Sequence, residues 1–92
     1  MKEIRKTTQF KKDFKRYKND VEKVKSLWQV VSILANGGEL SSDFKPHHLK
    51  GRMQQYMECH IENDYLLIWF DQEQDVIELV RLGSHADLFG HS

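Results

Sequence analysis

Residues 56–83 read YMECHIENDYLLIWFDQEQDVIELVRLG, and the period of this stretch decides the fold. Tyr56, Glu58 and His60 alternate with Met57, Cys59 and Ile61, the period of two expected of a strand with one buried face. Glu62-Asn63-Asp64 is a turn cluster. The run Tyr65-Leu66-Leu67-Ile68-Trp69-Phe70 that follows has strand length and almost no polar break, which suits a central strand covered on both faces. Asp71 to Asp75 turns the chain again, and Val76, Ile77, Leu79, Val80 and Leu82 make a third strand that Gly83 breaks. A short tail from Ser84 to Gly90 carries His85 and Phe89. Three strands joined by short turns predict an antiparallel meander.

Upstream the period changes to that of a helix. After a short alternating start at Lys2, Ile4 and Lys6, Phe10, Phe14 and Tyr17 recur at i, i+4 and i+7 among basic residues, with Thr8 as the expected cap. A second helix places Val21, Val24, Leu27, Trp28, Val31 and Leu34 on one side, opened by Asn19 with Glu22 three residues on and closed by a left-handed Gly37. Gly38 to Pro46 reads as loop. The sum is an α+β domain over residues 1–92: an N-terminal strand and a helix hairpin packed on a mainly antiparallel sheet that ends in the three-strand meander.

At 92 residues, with 39% hydrophobic side chains that include five Phe, three Tyr and two Trp, the chain has one small core and no room for a second. No apolar run reaches the ~20 residues of a membrane span, and Met1-Lys2-Glu3-Ile4-Arg5-Lys6 lacks the apolar stretch of a signal peptide, so a cytoplasmic protein without membrane contact is expected. The net charge of zero is a cancellation. Residues 1–25 hold ten basic and four acidic side chains, whereas residues 57–92 hold one basic and eight acidic. Such a split fits a basic surface for a polyanion as well as it fits a solvated helix face.

Four of the five histidines, His47, His48, His60 and His85, fall at loop or strand ends that a meander brings toward one edge. His91, next to the carboxyl terminus, is set aside as frayed. Cys59 and His60 are adjacent in a strand and face opposite ways, and no H-x-x-x-H or H-E-x-x-H spacing occurs, so neither a metal nor a cofactor is expected. Cys59 reads as a small buried hydrophobe. Gly83-Ser84-His85 lacks the G-x-S-x-G form of a nucleophile elbow. General acid-base work suits the inventory better. Cutting RNA without a metal needs one group to take the ribose 2′-hydroxyl proton, another to protonate the leaving 5′-oxygen, and a cation to stabilise the phosphorane. His47, His60, Asp64 and His85 can supply the first two, and Lys50, Arg52 or Arg81 the third, while Phe89 can stack on a base.

Three segments together, His47-His48-Leu49-Lys50-Gly51, His60-Ile61-Glu62-Asn63-Asp64-Tyr65-Leu66-Leu67-Ile68 and Gly83-Ser84-His85-Ala86-Asp87-Leu88-Phe89-Gly90, resemble the YafQ branch of the RelE/ParE toxin-antitoxin superfamily. The likeness runs nearly end to end and includes the basic Phe10-Lys11-Lys12-Asp13-Phe14-Lys15 segment. It implies a ribosome-dependent endoribonuclease that enters the A site of the 70S ribosome, cuts the mRNA there and is neutralised by a cognate antitoxin. It further implies that His85 is the general acid and that Phe89 contacts the message. His47, His60 and Asp64 complete the acid-base set, with the base to be sought in the order Asp64, His60, His47. The sequence has Pro46-His47-His48-Leu49 where the family usually has histidine before proline, which leaves both His47 and His48 as candidates for the site. Relatives of the ParE kind share the fold and poison gyrase, so a module without nuclease activity, whether a gyrase poison or an inactive toxin serving antitoxin autoregulation, is the alternative.

Overall fold

A computed structural model describes residues 1–72 and 75–90, with β1 (Glu3–Lys6), α1 (Thr8–Phe14), α2 (Val21–Ala35), β2 (His47–His48), β3 (Met57–Glu62), β4 (Tyr65–Gln72), β5 (Val76–Gly83) and α3 (His85–Phe89). Single 3-10 turns occupy Ser42–Phe44 and Gly51–Met53. The strands form one sheet in the order β1-β5-β4-β3-β2. β3, β4 and β5 are the antiparallel meander that the period of two demands. β1 joins the sheet parallel to β5, and β2 pairs antiparallel with β3. The α+β architecture expected from the sequence is therefore the one observed.

The helix hairpin covers one sheet face. Phe10, Leu27, Val30, Val31 and Leu34 pack against Cys59, Ile61, Tyr65, Leu67, Trp69, Ile77, Leu79 and Leu82. Alternation then places Leu66 and Ile68 of β4 on the opposite face. Both are buried there, with His60 and Gly83 beside Leu66 and with Glu58 and Arg81 beside Ile68. This second face carries the chemistry.

β1 stops at Lys6, opposite Leu79, and leaves the rest of β5 with an unpaired edge. α1 closes it. The Thr7 amide donates to the Leu79 carbonyl (3.0 Å), and the Thr7 hydroxyl donates to the Val80 carbonyl (2.9 Å) while accepting from the Phe10 amide. Asp13, 1% exposed, accepts the Leu82 amide (3.0 Å) and the Nε of Arg81 (2.8 Å). Burial works against its charge, but the bonds from Arg81, Leu82 and Gln9 outweigh that and hold its carboxyl below the usual range.

The charge split is partly consumed inside the molecule. Lys2–Asp71, Arg16–Asp87 and Lys23–Glu62 each join a basic residue of the first 25 to an acidic residue of the sheet or of α3. Lys11, Lys12, Lys15 and Lys18 stay exposed, with no ion pair among the described residues.

Local expectations shift in five places. The cap of α1 is Thr7, because only its hydroxyl can bridge Phe10 to the β5 edge. The cap of α2 is Asp20, whose carboxylate accepts the Lys23 amide (3.2 Å); the turn that ties the Asp20 amide to the Tyr17 carbonyl starts the helix one residue later than Asn19 would. Val21 is consequently the first helical residue and is 74% exposed, outside the apolar stripe. Gly37 is left-handed as expected (φ 75°), with the Gly38 amide donating to Ile33 in a Schellman closure. Asp71 and Gln72 extend β4 rather than turning the chain, since their register with β5 continues to Ile77 and Val76; residues 73–74 of that expected turn lie outside the described residues. Finally, the Ser84–Gly90 tail is a helix, α3, held by a capping box between Ser84 and Asp87.

Candidate functional site

Four aromatic rings lie in a row on the face away from the hairpin. Ring centroids are 6.4 Å apart for His47 and His60, 5.6 Å for His60 and His85, and 6.3 Å for His85 and Phe89. The row crosses β2, β3 and α3, elements far apart in sequence.

His85 is the most tightly fixed. It is the first residue of α3, and its backbone amide and its Nδ1–H both donate to Oδ1 of Asp64, at 2.9 and 2.7 Å. Asp64 meets both because it occupies the left-handed position of the β3–β4 turn (φ 54°), a conformation Asp tolerates. The His85 amide, then its ring, hold the Asp64 carboxyl below the usual carboxylate range. This fixes the tautomer of His85 and leaves its Nε2 with no protein partner among the described residues. When the ring carries both protons, the contact to Asp64 is a charge-assisted hydrogen bond.

α3 is seated from below and from the side. Ser84 and Asp87 cap each other, and Arg16 reaches Asp87 at 3.0 Å. Burial opposes the charge of Asp87, but the Ser84 hydroxyl and amide and Arg16 prevail and lower its pKa. A Cβ on Gly83 would come within 3.2 Å of the Asp87 Cβ, so the bare backbone there lets α3 close onto β5. The helix in turn presents Phe89, 54% exposed, at the end of the row.

His47 and His48 are neighbours on β2 and project to opposite faces. His47 joins the row. His48 donates from Nδ1 to the Gln54 carbonyl (2.9 Å) and lines a groove of about 420 Å³ with Leu34, Leu40, Pro46 and Trp69. That groove holds no member of the row; His60 alone edges a smaller cleft, of about 240 Å³, with Lys45 and Glu62. His60 rises from β3 between the other two imidazoles, and its ring has no hydrogen-bond partner among the described residues.

The proposed cations divide. Lys50 caps and Arg52 lies within the exposed Gly51–Met53 turn, and neither has an ion pair among the described residues. Arg81 is committed elsewhere: its guanidinium grips Asp13 and reaches the Asp87 carbonyl at 3.4 Å, so it braces α1, β5 and α3 together. Cys59 is fully buried under the hairpin, and burial pushes its thiol up to about 12. His91 lies outside the described residues. Among the described residues no group of three or more His, Cys, Asp or Glu side chains has the geometry to hold a metal ion.

Two acids escaped the sequence reading. Asp13 looked like one more polar residue of a basic helix, and only its contact with β5 buries it. Glu58 shares the face of His60 by alternation, yet it is 4% exposed and its Oε1 stands 3.2 Å from Nε2 of His47. The capping of α3, in contrast, was spelled out by Ser84-His85-Ala86-Asp87, a serine followed three residues later by an acid.

Residues 2–90 match the family described as the bacterial toxin of type II toxin-antitoxin systems, YafQ. The mRNA interferase toxin YafQ of Escherichia coli K12 is 29% identical over 90 residues, which cover 97% of each chain. A metal-bound toxin from Helicobacter pylori superposes with a TM-score of 0.87 at 38% identity, over 97% of this chain and all of that one. YafQ in its E. coli complex with DinJ superposes at 0.86 and 28% identity, over 98% of this chain and all of the other.

Proposed function

Since the chain belongs to the YafQ family of bacterial type II toxin-antitoxin toxins, we propose that it is an mRNA interferase that cuts messenger RNA in the A site of the ribosome. The observation that carries this reading is the row His47-His60-His85-Phe89, with His85 fixed by Asp64.

The geometry supports a division of labour among the imidazoles. His60, with both ring nitrogens free of protein partners among the described residues, is the general base that takes the 2′-hydroxyl proton as the 2′-oxygen attacks phosphorus. Nε2 of His85, without a protein partner among the described residues, gives its proton to the departing 5′-oxygen, while Asp64 holds the ring in the donating orientation. Asp64 ranks behind His60 as base, because its carboxylate already accepts two bonds from His85 and is held in its ionised form. The phosphorane charge falls to His47, Lys50 and Arg52, with Arg81 bracing the scaffold. Phe89 offers a face on which an unpaired base can stack.

A row of which only His60 edges a small cleft needs its RNA held by something else, which favours a substrate already threaded through a ribosome. The exposed Lys11, Lys12, Lys15 and Lys18 give the hairpin a surface for ribosomal RNA phosphates. A cognate antitoxin, as DinJ is in the E. coli complex, would silence the toxin by covering the row or by blocking the basic hairpin. Such an encounter belongs to the cytoplasm.

The test is primer extension on a defined message in programmed ribosomes with an empty A site, with a no-ribosome control. Wild type is expected to cut within the A-site codon only when ribosomes are present. His85→Ala is expected to lower the rate roughly 10²- to 10⁴-fold, the usual worth of a positioned acid, without loss of fold. Absence of cleavage by folded wild type, or DNA damage in place of translation arrest, would overturn the reading in favour of a non-nuclease module.

A further inference from the structure

We infer that Asp87 is a positioning residue for the general acid: by pairing with Arg16 of the hairpin turn and closing the cap of Ser84, it sets where α3 stands, and with it the ring of His85 and the face of Phe89. The inference deepens the nuclease reading above and rests on it for the role of His85, but the seating of α3 is a property of the free protein.

α3 cannot hold itself in place. It has five residues, none of them buried, and a helix that short is not stable alone in water. Asp64 pins its first residue, through the amide and the ring of His85. A helix pinned at one residue is free to pivot about it, and a pivot would carry Nε2 of His85 and the ring of Phe89 out of line with His60. The second fixed point is Asp87. Its amide donates to the Ser84 hydroxyl at 3.1 Å, its Oδ2 accepts the Ser84 amide at 3.4 Å, its Oδ1 meets the Arg16 guanidinium at 3.0 Å, and its carbonyl accepts from Arg81 at 3.4 Å. Its stem lies against the bare backbone of Gly83, where a Cβ would intrude to 3.2 Å.

Arg16 brings a firm anchor to this contact. It sits in the turn after α1, its amide bonded to the Asp13 carbonyl at 3.1 Å, and the Asp13 carboxylate fastens α1 to β5. Beside it the ring of Tyr17 packs on Tyr65, with centroids 4.9 Å apart; burial first, then the charge of Asp87, holds the Tyr17 hydroxyl above its usual range, so the carboxylate faces this phenol too. In the basic run Lys11, Lys12, Lys15, Arg16 and Lys18, Arg16 alone has an ion pair among the described residues. Its charge is thereby withdrawn from the surface open to ribosomal RNA and committed to the helix that carries the acid. With side chains 57% and 33% exposed, the pair adds little to global stability. What it restricts is the local pivot of a short helix, a motion far less costly than unfolding.

The first arm of the test reads the purified toxin alone, by its backbone amide resonances and those of the Phe89 ring. Arg16→Gln and Asp87→Asn are each expected to shift the resonances of residues 84–90 while the melting curve hardly moves. Arg16 lies outside α3, so a shift there reports the lost contact and not the new side chain; α3 resonances unchanged by Arg16→Gln overturn the inference. If Asp87→Asn does not fold, Arg16→Gln decides by itself. The second arm measures cleavage on programmed ribosomes. Each variant is expected to lower kcat roughly 3- to 5-fold, the upper end of what an exposed ion pair commands, with KM for the ribosome little changed, and the double variant is expected to lose no more than the worse single one. Asp87→Asn separates positioning from RNA contact, because removing an acid beside a basic surface favours a polyanion. An unchanged kcat in Asp87→Asn, losses that multiply in the double variant, or a raised KM with kcat intact in Arg16→Gln would each refute action through α3. Should wild type fail to cleave, the nuclease reading falls while the α3 resonances still decide the seating.

Discussion

Replacing Asp13 with alanine should be the most damaging single change outside the central core, although the residue sits in a helix full of exposed lysines. Its carboxylate satisfies the amide of Leu82, which is fully buried, and pairs with Arg81, whose side chain is 27% exposed. An orphaned buried amide costs about 1–3 kcal/mol. Breaking a fully buried ion pair costs about 3–5 kcal/mol, a figure to be discounted here because Arg81 keeps some water and its contact with the Asp87 carbonyl. The two effects overlap, and together they come to about 3 kcal/mol. At about 2.1 cal/mol/K per residue, a 92-residue chain unfolds with an entropy near 0.19 kcal/mol/K, so the midpoint should fall by about 15 °C. Circular dichroism melts at pH 7 measure it directly. The sign with pH is fixed as well: the folded carboxyl of Asp13 lies below its unfolded value, so its contribution is fully present above the unfolded value and is lost as pH falls through the folded one. The gap between wild type and Asp13→Ala should therefore narrow in strong acid. A drop of less than about 4 °C at pH 7, corresponding to under ~1 kcal/mol, would mean that α1 does not close the edge of β5 as described.

Two further outcomes follow from the seating of His85. Asp64→Asn keeps an acceptor for the His85 amide but removes the charge facing its ring; cleavage on programmed ribosomes should drop by roughly 10-fold or more while the melting curve hardly moves, and wild-type rates would show that the charge is idle. Gly83→Ala drives a Cβ to within 3.2 Å of Asp87 at a backbone φ of 155°, so it should displace α3 at a cost of about 1–3 kcal/mol, visible as shifted amide resonances confined to residues 83–90 together with weakened cleavage; an unchanged α3 would show that the helix has slack.

Much of the fold was legible because its signals are local. The alternation of 57–62, the apolar run 65–70 and the third run from Val76 specified three strands, and turns too short for a crossover made them antiparallel. Gly37 announced the end of α2 for an equally local reason, since a left-handed residue is needed there. What was read less well has few residues or competing signals. β2 is only two residues long, too short for any period, and is a strand solely because β3 lies beside it. Thr7 and Thr8, or Asn19 and Asp20, offer nearly the same capping chemistry one residue apart, and contacts made elsewhere choose between them.

The site divides along the same line. Sequence by itself determined the chemistry available: imidazoles at 47, 60 and 85, a carboxylate at a turn, an aromatic residue near the end, and a basic first third. His47 and His48 point opposite ways because β2 pairs with β3, and neighbours on a strand must. Tertiary structure alone decided which of the two faces His60, that Asp64 reaches across 21 residues to fix His85, that Arg81 is spent on Asp13, and that Glu58 is buried against His47. The reason is physical. Residue type and period are properties of a few consecutive positions, whereas the burial, charge and proton position of a side chain depend on neighbours that only the closed sheet brings within 3 Å or so.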